Sequence, residues 1–481
     1  MNGMAYEAII GMEVHAQIIT ASKMFCSCSA DYADAPPNTH VCPVCLGMPG
    51  VLPVINRRAV EQTLRTGLAL NCQIAQEAVF ARKNYHYPDL PKGYQISQYE
   101  LPFCENGWVD IELSDGQRRR IRIRRAHLEE DTGKLVHVDG HSLIDFNRAG
   151  VPLLEIVTEP DMHTAEEAYA YVLRLRQILR YLGVSTGDME KGAMRCEVNV
   201  SVRPVGSQEM GTKVEIKNLN SFRSVRMALE YEINRQIALL SQGKPVQQVT
   251  MGWDEAHGRT VVQRTKESAH DYRYFPDPDL LPVVVERSWL DRLRETLPEL
   301  PAHRRDRFAE VYGLTRDDAN VLTEERAVAD FFEAAVKAYG GDARPIANWI
   351  TGEVFRHLNE RGVEIDAVPL SPDGLADLQR LVDEGTINLN TAKRVLATML
   401  ESGRSPREIV QAEGLAQVSD EGALGELVTK VLSEHPEEVE RYRSGKTSLL
   451  GWFMGQVMRE TRGQANPQVV RELLQEKLNE S

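Results

Sequence analysis

The sequence predicts an α+β protein, with a largely antiparallel sheet in the first 290 or so residues and helices alone after it. Three observations predict this. Asn106-Gly107, Asp115-Gly116 and Asp139-Gly140 supply the positive φ angles that tight hairpins need. Their flanks alternate apolar and polar residues, as in Trp108-Val109-Asp110-Ile111-Glu112-Leu113 and Ile121-Arg122-Ile123-Arg124, which gives a sheet with one wet face. From about Leu297 the strand signals fade and helical stripes take over. Strands first and helices later argue against a doubly wound parallel sheet.

Taken in order, Ile10–Ile18 (IGMEVHAQI) alternates as a first strand. Thr164 to Glu167 reads as a capping box, followed by the stripe Ala168, Val172, Leu175, Leu179 and Leu182 and a stop at Gly183. A second helix spans about Ser221 to Ser241 and ends before Gly243 and Pro245. Strands are expected at Glu197–Arg203, Thr212–Leu219, Arg259–Thr265 and Pro282–Val285. Helical stripes follow at Ala327–Ala338, Ile346–Leu358, Pro372–Asp383 and Thr391–Leu400, with a further helical block from Ser405-Pro406 to Leu478. The expected domains are therefore 1–294, 295–404 and 405–481.

Composition bounds the function. At 481 residues, 42% apolar and 26% charged, the chain is an ordinary globular protein of about three domains. Its longest apolar runs, such as Leu281–Val285, are far too short to span a membrane. The N-terminus carries no signal pattern, so a cytosolic location is expected. With 56 basic and 70 acidic side chains the net charge is −14, which disfavours unspecific coating of nucleic acid. Local basic patches can still hold one.

Four of the seven cysteines cluster as Cys26-x-Cys28 and Cys42-x-x-Cys45. Two close thiolate pairs can close a tetrahedral shell on a structural zinc, with a redox disulfide and free thiols as the other readings. On the first strand Glu13, His15 and Gln17 share a face, either a solvated one or a carboxylate beside an imidazole. Further acids stand at Glu129-Glu130-Asp131 and at Glu155, which interrupts an apolar run where an unpaired charge is costly. Brought together, these suit a hard cation such as magnesium. Arg118, Arg119, Arg120, Arg122, Arg124 and Arg125, and the basic-aromatic stretch Arg82–Asp89, suit phosphate or RNA contact, or a solvated face and an ordinary loop. Arg441, Arg443, Lys446, Arg459 and Arg462 stand against Glu460 alone, a local 5 − 1 = +4. Gly183–Gly187 fits G-x-S-x-G but follows a helix, and Gly445-Lys446-Thr447 lacks the upstream glycine of a phosphate loop, so neither hydrolase triad nor Walker loop is expected.

IGMEVHAQI, PGVLPVIN (49–56), RKNYHYPDLPKGYQISQ (82–98), HLEEDTGK (127–134), DFNRAGVPLLEIVTEPD (145–161), MRCEVNVSVRP (194–204), EIKNLNSF (215–222), DYRYFPDPDL (271–280) and GQANPQ (463–468) closely resemble the B subunits of the tRNA-dependent amidotransferases. The related archaeal E subunits carry an extra domain for which residue 290 leaves no room. The resemblance implies a cradle-shaped catalytic domain, a helical domain and a small helical tail. It implies ATP-dependent amidation of Glu or Asp on mischarged tRNA(Gln) or tRNA(Asn), with ammonia channelled from a partner amidase (the A chain) and a small C chain completing the enzyme. The synthetase that mischarges the tRNA is a further implied partner. It places Glu13, His15, Glu130 and Glu155 around magnesium, Lys83 and Tyr85 near that centre, and Lys92 on the ammonia path. It offers Asn199, Lys213, Glu215, Lys217 and Asn218 for ATP, the tail patch for tRNA, and the four cysteines for structural zinc.

Overall fold

A computed structural model of the chain describes residues 5–265, 272–416, 421–461 and 465–479. Two compact units divide it, Met1–Pro301 and Ala302–Ser481. In the first, the elements run β1 (Tyr6–Gln17), α1 (Arg57–Ala69), β2 (Gln73–Ile74), β3 (Glu77–Ala78), β4 (Ala81–Asn84), β5 (Tyr94–Ser97), β6 (Cys104–Glu112), β7 (Arg118–Glu130), β8 (Lys134–Val138), β9 (His141–Asp145), β10 (Pro152–Thr158), α2 (Ala165–Tyr181), β11 (Met194–Pro204), β12 (Val214–Leu219), α3 (Phe222–Ser241), β13 (Val249–Asp254), β14 (Arg259–Thr265), β15 (Phe275–Pro276), β16 (Val283–Val284) and α4 (Arg287–Glu295).

Among the described residues nine strands form one sheet, in the order β14-β13-β12-β11-β1-β10-β7-β6-β2. Neighbours are antiparallel except β12 and β13, which run parallel because α3 carries the chain back between them. Met12, Val14 and Ala16 of β1 are buried with Leu64 of α1, Val172 and Leu175 of α2 and Leu229 of α3. Each such fully buried aliphatic contributes roughly 1.5–3 kcal/mol. The alternate residues Glu13, His15 and Gln17 are left for the opposite face. The capping box of α2 forms as expected, with Thr164 Oγ1 accepting from Glu167 N at 3.1 Å. β4, β5 and β15 make a small sheet, and β8 and β9 a hairpin.

Asp115-Gly116 and Asp139-Gly140 turn hairpins, with Gly116 at φ 82° and Gly140 at φ 74°. The expected hairpin at Asn106-Gly107 does not form. Both residues lie inside β6, with Asn106 at φ 55°. Gly107 is there for closeness, since a Cβ would stand 2.4 Å from Cys72 Sγ and 2.5 Å from Leu70 O. The end of α1 rests on this point, Trp108 N donating to Leu70 O at 2.8 Å. Gly107→Ala is therefore expected to cost about 3 kcal/mol by overpacking. An unchanged urea midpoint would contradict that contact.

The second unit is helical and holds two hydrophobic cores. One gathers Phe308, Phe332, Ile346, Trp349, Leu375 and Leu396; the other gathers Leu424, Val428, Phe453, Val457, Val470 and Leu474. The expected stripe Ile346–Leu358 is interrupted by a π turn at Ile350–Val354, whose Glu353 pairs with Lys393 at 3.0 Å. Among the described residues no helix is long and apolar enough to cross a membrane.

Candidate active site on the open face of the sheet

Strand register builds the site. His127 of β7, Glu155 of β10, His15 of β1 and Arg195 of β11 are successive cross-strand partners and form one row. Glu129 stands two residues along β7, on the same face. His15 Nε2 lies 3.3 Å from Glu155 Oε2 and 3.7 Å from Glu129 Oε1. His127 Nε2 lies 3.5 Å from Glu155 and 3.7 Å from Glu129. One ligand atom from each of His15, Glu129 and Glu155 falls within 4.8 Å of the others. Ser97 Oγ donates to Glu129 Oε2 at 3.0 Å.

Two buried carboxylates this close need a cation. Burial opposes ionisation of both, but His127 and Lys83 beside Glu129, and His127, His15 and Lys83 beside Glu155, hold both carboxyls below their ordinary range. Burial disfavours charge on His15 too, and the hydrogen bond and charge of Glu155 overcome it, pushing the imidazole up to about 9. Lys83 behaves likewise: burial opposes its charge, and Glu129, Tyr274 and Glu155 hold it on. Its Nζ stands 5.0 Å from the Tyr272 ring centre and 5.9 Å from that of Tyr85. Two carboxylates suit magnesium, and the imidazole also admits manganese. His127 Nδ1 and Asn199 Oδ1, buried on this face, have no hydrogen-bond partner among the described residues.

Glu130 does not join this cluster. It is the neighbour of Glu129 on a strand, so its side chain leaves by the other face. It pairs there with Lys92 Nζ and accepts from Ile96 N at 2.9 Å. The cluster that could hold a cation thus contains Glu129, and not Glu130, which the resemblance had placed there. Glu13 is on the right face but one step away. Asn199 Nδ2 donates to it at 3.0 Å, and burial, then Glu155 and Glu197, push its carboxyl up.

Next to Glu13 a cleft of about 320 Å³ is lined by Arg124, Asn199, Lys213 and Gly211 among others. Lys217 reaches Glu197 at 2.8 Å and Glu215 at 3.6 Å, and Thr250 Oγ1 donates to Glu215 at 2.7 Å. Asn218 is exposed, at φ 61°, where the pairing of β11 with β12 shifts. Of the five residues expected at a nucleotide, Asn199 and Lys213 line the cleft, and Glu215 and Lys217 form an ion-pair group with Glu197.

Lys92 and Glu130 line a separate cavity of about 200 Å³, together with Cys26, Cys45 and Lys23. The four cysteine sulfurs fall within 4.8 Å of one another. Cys42 and Cys45 Sγ stand 3.8 Å apart, too far for a disulfide and about the edge of a tetrahedron of thiolates around zinc. A hydrogen bond from Cys26 holds the Cys45 thiol down, and the buried Lys23 ammonium adds to this. Lys23 Nζ also donates to His40 O at 2.7 Å and Phe146 O at 3.3 Å. The donor set fits zinc.

The arginine strand is mostly self-neutralised. Arg120 pairs with Asp110 at 2.8 Å, Arg122 with Asp161 at 2.6 Å and Arg124 with Glu159 at 2.8 Å. These arginines are ion-paired and exposed, side chains 58–66% accessible. In the tail, Arg441, Lys446 and Arg459 are exposed, and Arg443 Nε donates to Leu478 O at 3.2 Å. Arg462 lies outside the described residues. Sequence reasoning missed His127 and weighed Glu129 only as part of an acidic trio. Period-two counting back from Glu129 to His127 and Arg125 was the available signal.

Residues 8–291 match the GatB/GatE catalytic domain family and residues 330–478 the GatB domain family. The chain is 55% identical to the aspartyl/glutamyl-tRNA(Asn/Gln) amidotransferase B subunit of Thermodesulfovibrio yellowstonii, over 98% of this chain and 99% of that protein. Identity is 56% to that of Moorella thermoacetica (99% and 100% covered) and 57% to that of Thermomicrobium roseum (99% of each).

Proposed function

The chain belongs to the family of aspartyl/glutamyl-tRNA(Asn/Gln) amidotransferase B subunits, and from that premise we propose that its open sheet face performs the ATP-dependent step of tRNA-linked amidation. The side-chain carboxylate of Glu or Asp on mischarged tRNA(Gln) or tRNA(Asn) attacks the γ-phosphorus of ATP, and ADP leaves. Ammonia then attacks the acyl carbon and phosphate leaves, giving Gln-tRNA(Gln) or Asn-tRNA(Asn). A carboxylate oxygen is a poor leaving group, which is why ATP is consumed. The observation that carries this is the group of half-buried His15 with buried Glu129 and Glu155, beside Lys83.

In this reading His15, Glu129 and Glu155 hold magnesium, with Glu13 one step away toward the nucleotide. When bound, the ion neutralises phosphate charge and aligns the transfer. Lys83 offers a held positive charge to the transferring phosphoryl group. Tyr85 and Tyr272 flank Lys83 and keep water from it. Asn199 and Lys213 face ATP in the cleft beside Glu13. Lys92 and Glu130 line the ammonia side, and zinc on Cys26, Cys28, Cys42 and Cys45 supports that wall. The absence of a recognisable hydrolase triad motif in the sequence suits a partner amidase as the source of ammonia, with a small C chain to complete the enzyme. Residues 1–294 serve as the catalytic part and 295–404 as the helical one. Residues 405–481 contact tRNA through Arg441, Arg443, Lys446, Arg459 and Arg462. A tRNA-linked substrate suits a cytoplasmic location, next to the non-discriminating synthetase.

The test reconstitutes the chain with its amidase and C partners and supplies Glu-tRNA(Gln) and Asp-tRNA(Asn) separately with ATP, magnesium and glutamine. Amide on either tRNA, lost without ATP, is the expected result and names the substrate. tRNA binding with no amide on either would make the chain a binding factor instead, a role that gives buried acids nothing to do.

A further inference from the structure

The cavity beside Glu130 is lined by Lys92, Ile96 and Glu130 together with Cys26, Cys45 and Gly47. The cysteine turn meets Lys92 at Gly47. It sits at φ +65°, and a Cβ there would stand 2.3 Å from Lys92 Cγ and 3.1 Å from Lys92 Cα. The turn that carries it is tied to the cysteine pair. Leu46 N donates to Cys42 O at 3.0 Å, Gly47 N to Val44 O at 3.0 Å and Met48 N to Pro43 O at 2.9 Å. The Cys42–Cys45 turn therefore presses backbone, with no side chain between, onto the stem of Lys92, whose ammonium pairs with Glu130.

We propose that Gly47 and the metal-bound cysteine turn position Lys92, so that occupancy of the four-cysteine site sets the Lys92–Glu130 pair and, through it, the delivery of ammonia. The last step rests on the reading of Lys92 and Glu130 as the ammonia side. Gly47 touches no reacting atom and acts through Lys92 alone. A metal on the cysteines fixes the sulfur positions to within tenths of an ångström. The turn hydrogen-bonded to those residues inherits that rigidity. Without the metal, four thiols repack freely and Gly47 loses its fixed height over Lys92.

Gly50 provides the control. It lies in the same loop, at φ +85°, but a Cβ there meets nothing within 4 Å. Gly50→Ala thus carries the left-handed strain of Gly47→Ala without the collision. Both variants, and Lys92→Met, are made in the complex with the amidase and C partners. Three quantities are read: zinc per complex, amide formed with glutamine against amide formed with ammonium chloride, and acylation of Lys92 by an amine-reactive ester mapped by mass spectrometry. Lys92 is only 12% exposed, so acylation reports its release.

Gly47→Ala is expected to keep its zinc and its ammonium-supported rate, to lose about tenfold with glutamine, as small misplacements do, and to acylate faster at Lys92. Gly50→Ala should match the unaltered complex. Chelating zinc from the unaltered complex should reproduce the faster acylation, and reloading should reverse it, so the test survives a Gly47→Ala that does not fold. Unchanged Lys92 acylation in both Gly47→Ala and the stripped complex overturns the proposal, as does an equal loss in Gly50→Ala or a complex that never carries metal on the cysteines. If Lys92→Met leaves glutamine-supported amidation intact, the ammonia reading fails, while acylation still decides the positioning.

Discussion

Glu129→Gln is expected to remove ATP-dependent phosphorylation, whereas Glu130→Gln leaves it in place. The two residues are consecutive, alike and both buried, so the contrast isolates the face each one serves. Glu129 is one of three groups that converge within 4.8 Å. Replacing its carboxylate by an amide keeps the shape, and Ser97 Oγ and His127 remain as partners, so the fold should stand. What disappears is one of two anionic ligands in a low-dielectric site. Losses of about 10²-fold follow even from outer-shell changes at metal centres, and a ligand should cost more. The assay is ADP formation dependent on mischarged tRNA. Glu130→Gln should form ADP normally and lose amide formation with glutamine, because Lys92 is left without its charge partner. ADP formation lost in Glu130→Gln and kept in Glu129→Gln would move the metal to the other face.

Asp131→Asn is the second large effect, and it is on stability. Asp131 is buried, accepts from Arg195 at 2.9 Å and Gln17 at 2.8 Å, and lies 3.7 Å from Arg148. Burial raises the cost of its charge, but Arg195 and Arg148 outweigh this and hold the carboxyl below its usual range. Removing the charge leaves two guanidinium groups without their anion. Breaking a buried pair costs about 3–5 kcal/mol, and since the Arg195 side chain is 36% exposed the loss should fall near the lower end, about 3 kcal/mol. The pH dependence has a fixed sign. A depressed carboxyl stabilises the fold fully above its unfolded pKa of about 3.9 and loses that contribution as pH falls through the lower folded value. Urea unfolding should therefore separate the two proteins by a constant gap from neutral pH to about pH 5, closing below about pH 4. A gap that stays open in acid would mean packing, not charge, causes the loss.

Much of this was legible in sequence. The hairpins at Gly116 and Gly140, the capping box at Thr164 and the helix from Ser221 are local signals, and the chain obeys them. Asn106-Gly107 misled because its local chemistry is that of a turn, while the end of α1 needed a residue without a side chain at Gly107. The pattern of β1 gave the face of Glu13 and His15. The choice between Glu129 and Glu130 depends on the parity of β7 relative to β10, and the pairing shifts between Val157 and Thr158. Such a shift is set by tertiary contacts and leaves no mark in composition. The acidic partners of the arginine strand, Asp161 and Glu159, come from another strand's end and could not be read beside it in sequence.

The adjacency of Glu129 and Glu130 also governs which sequence changes this strand tolerates. Substitutions near them are graded in effect, as a smaller or larger neighbour shifts either carboxylate by fractions of an ångström. Changes in length are not graded. One residue inserted between Ala126 and Glu129 would rotate both acids by half a pleat, sending each to the other's chamber and reversing Leu128 as well. The positions around the two acids thus tolerate graded change while the strand end is fixed in count, and length variation has to be absorbed upstream, at the irregular pairing near Ile123 to Arg125.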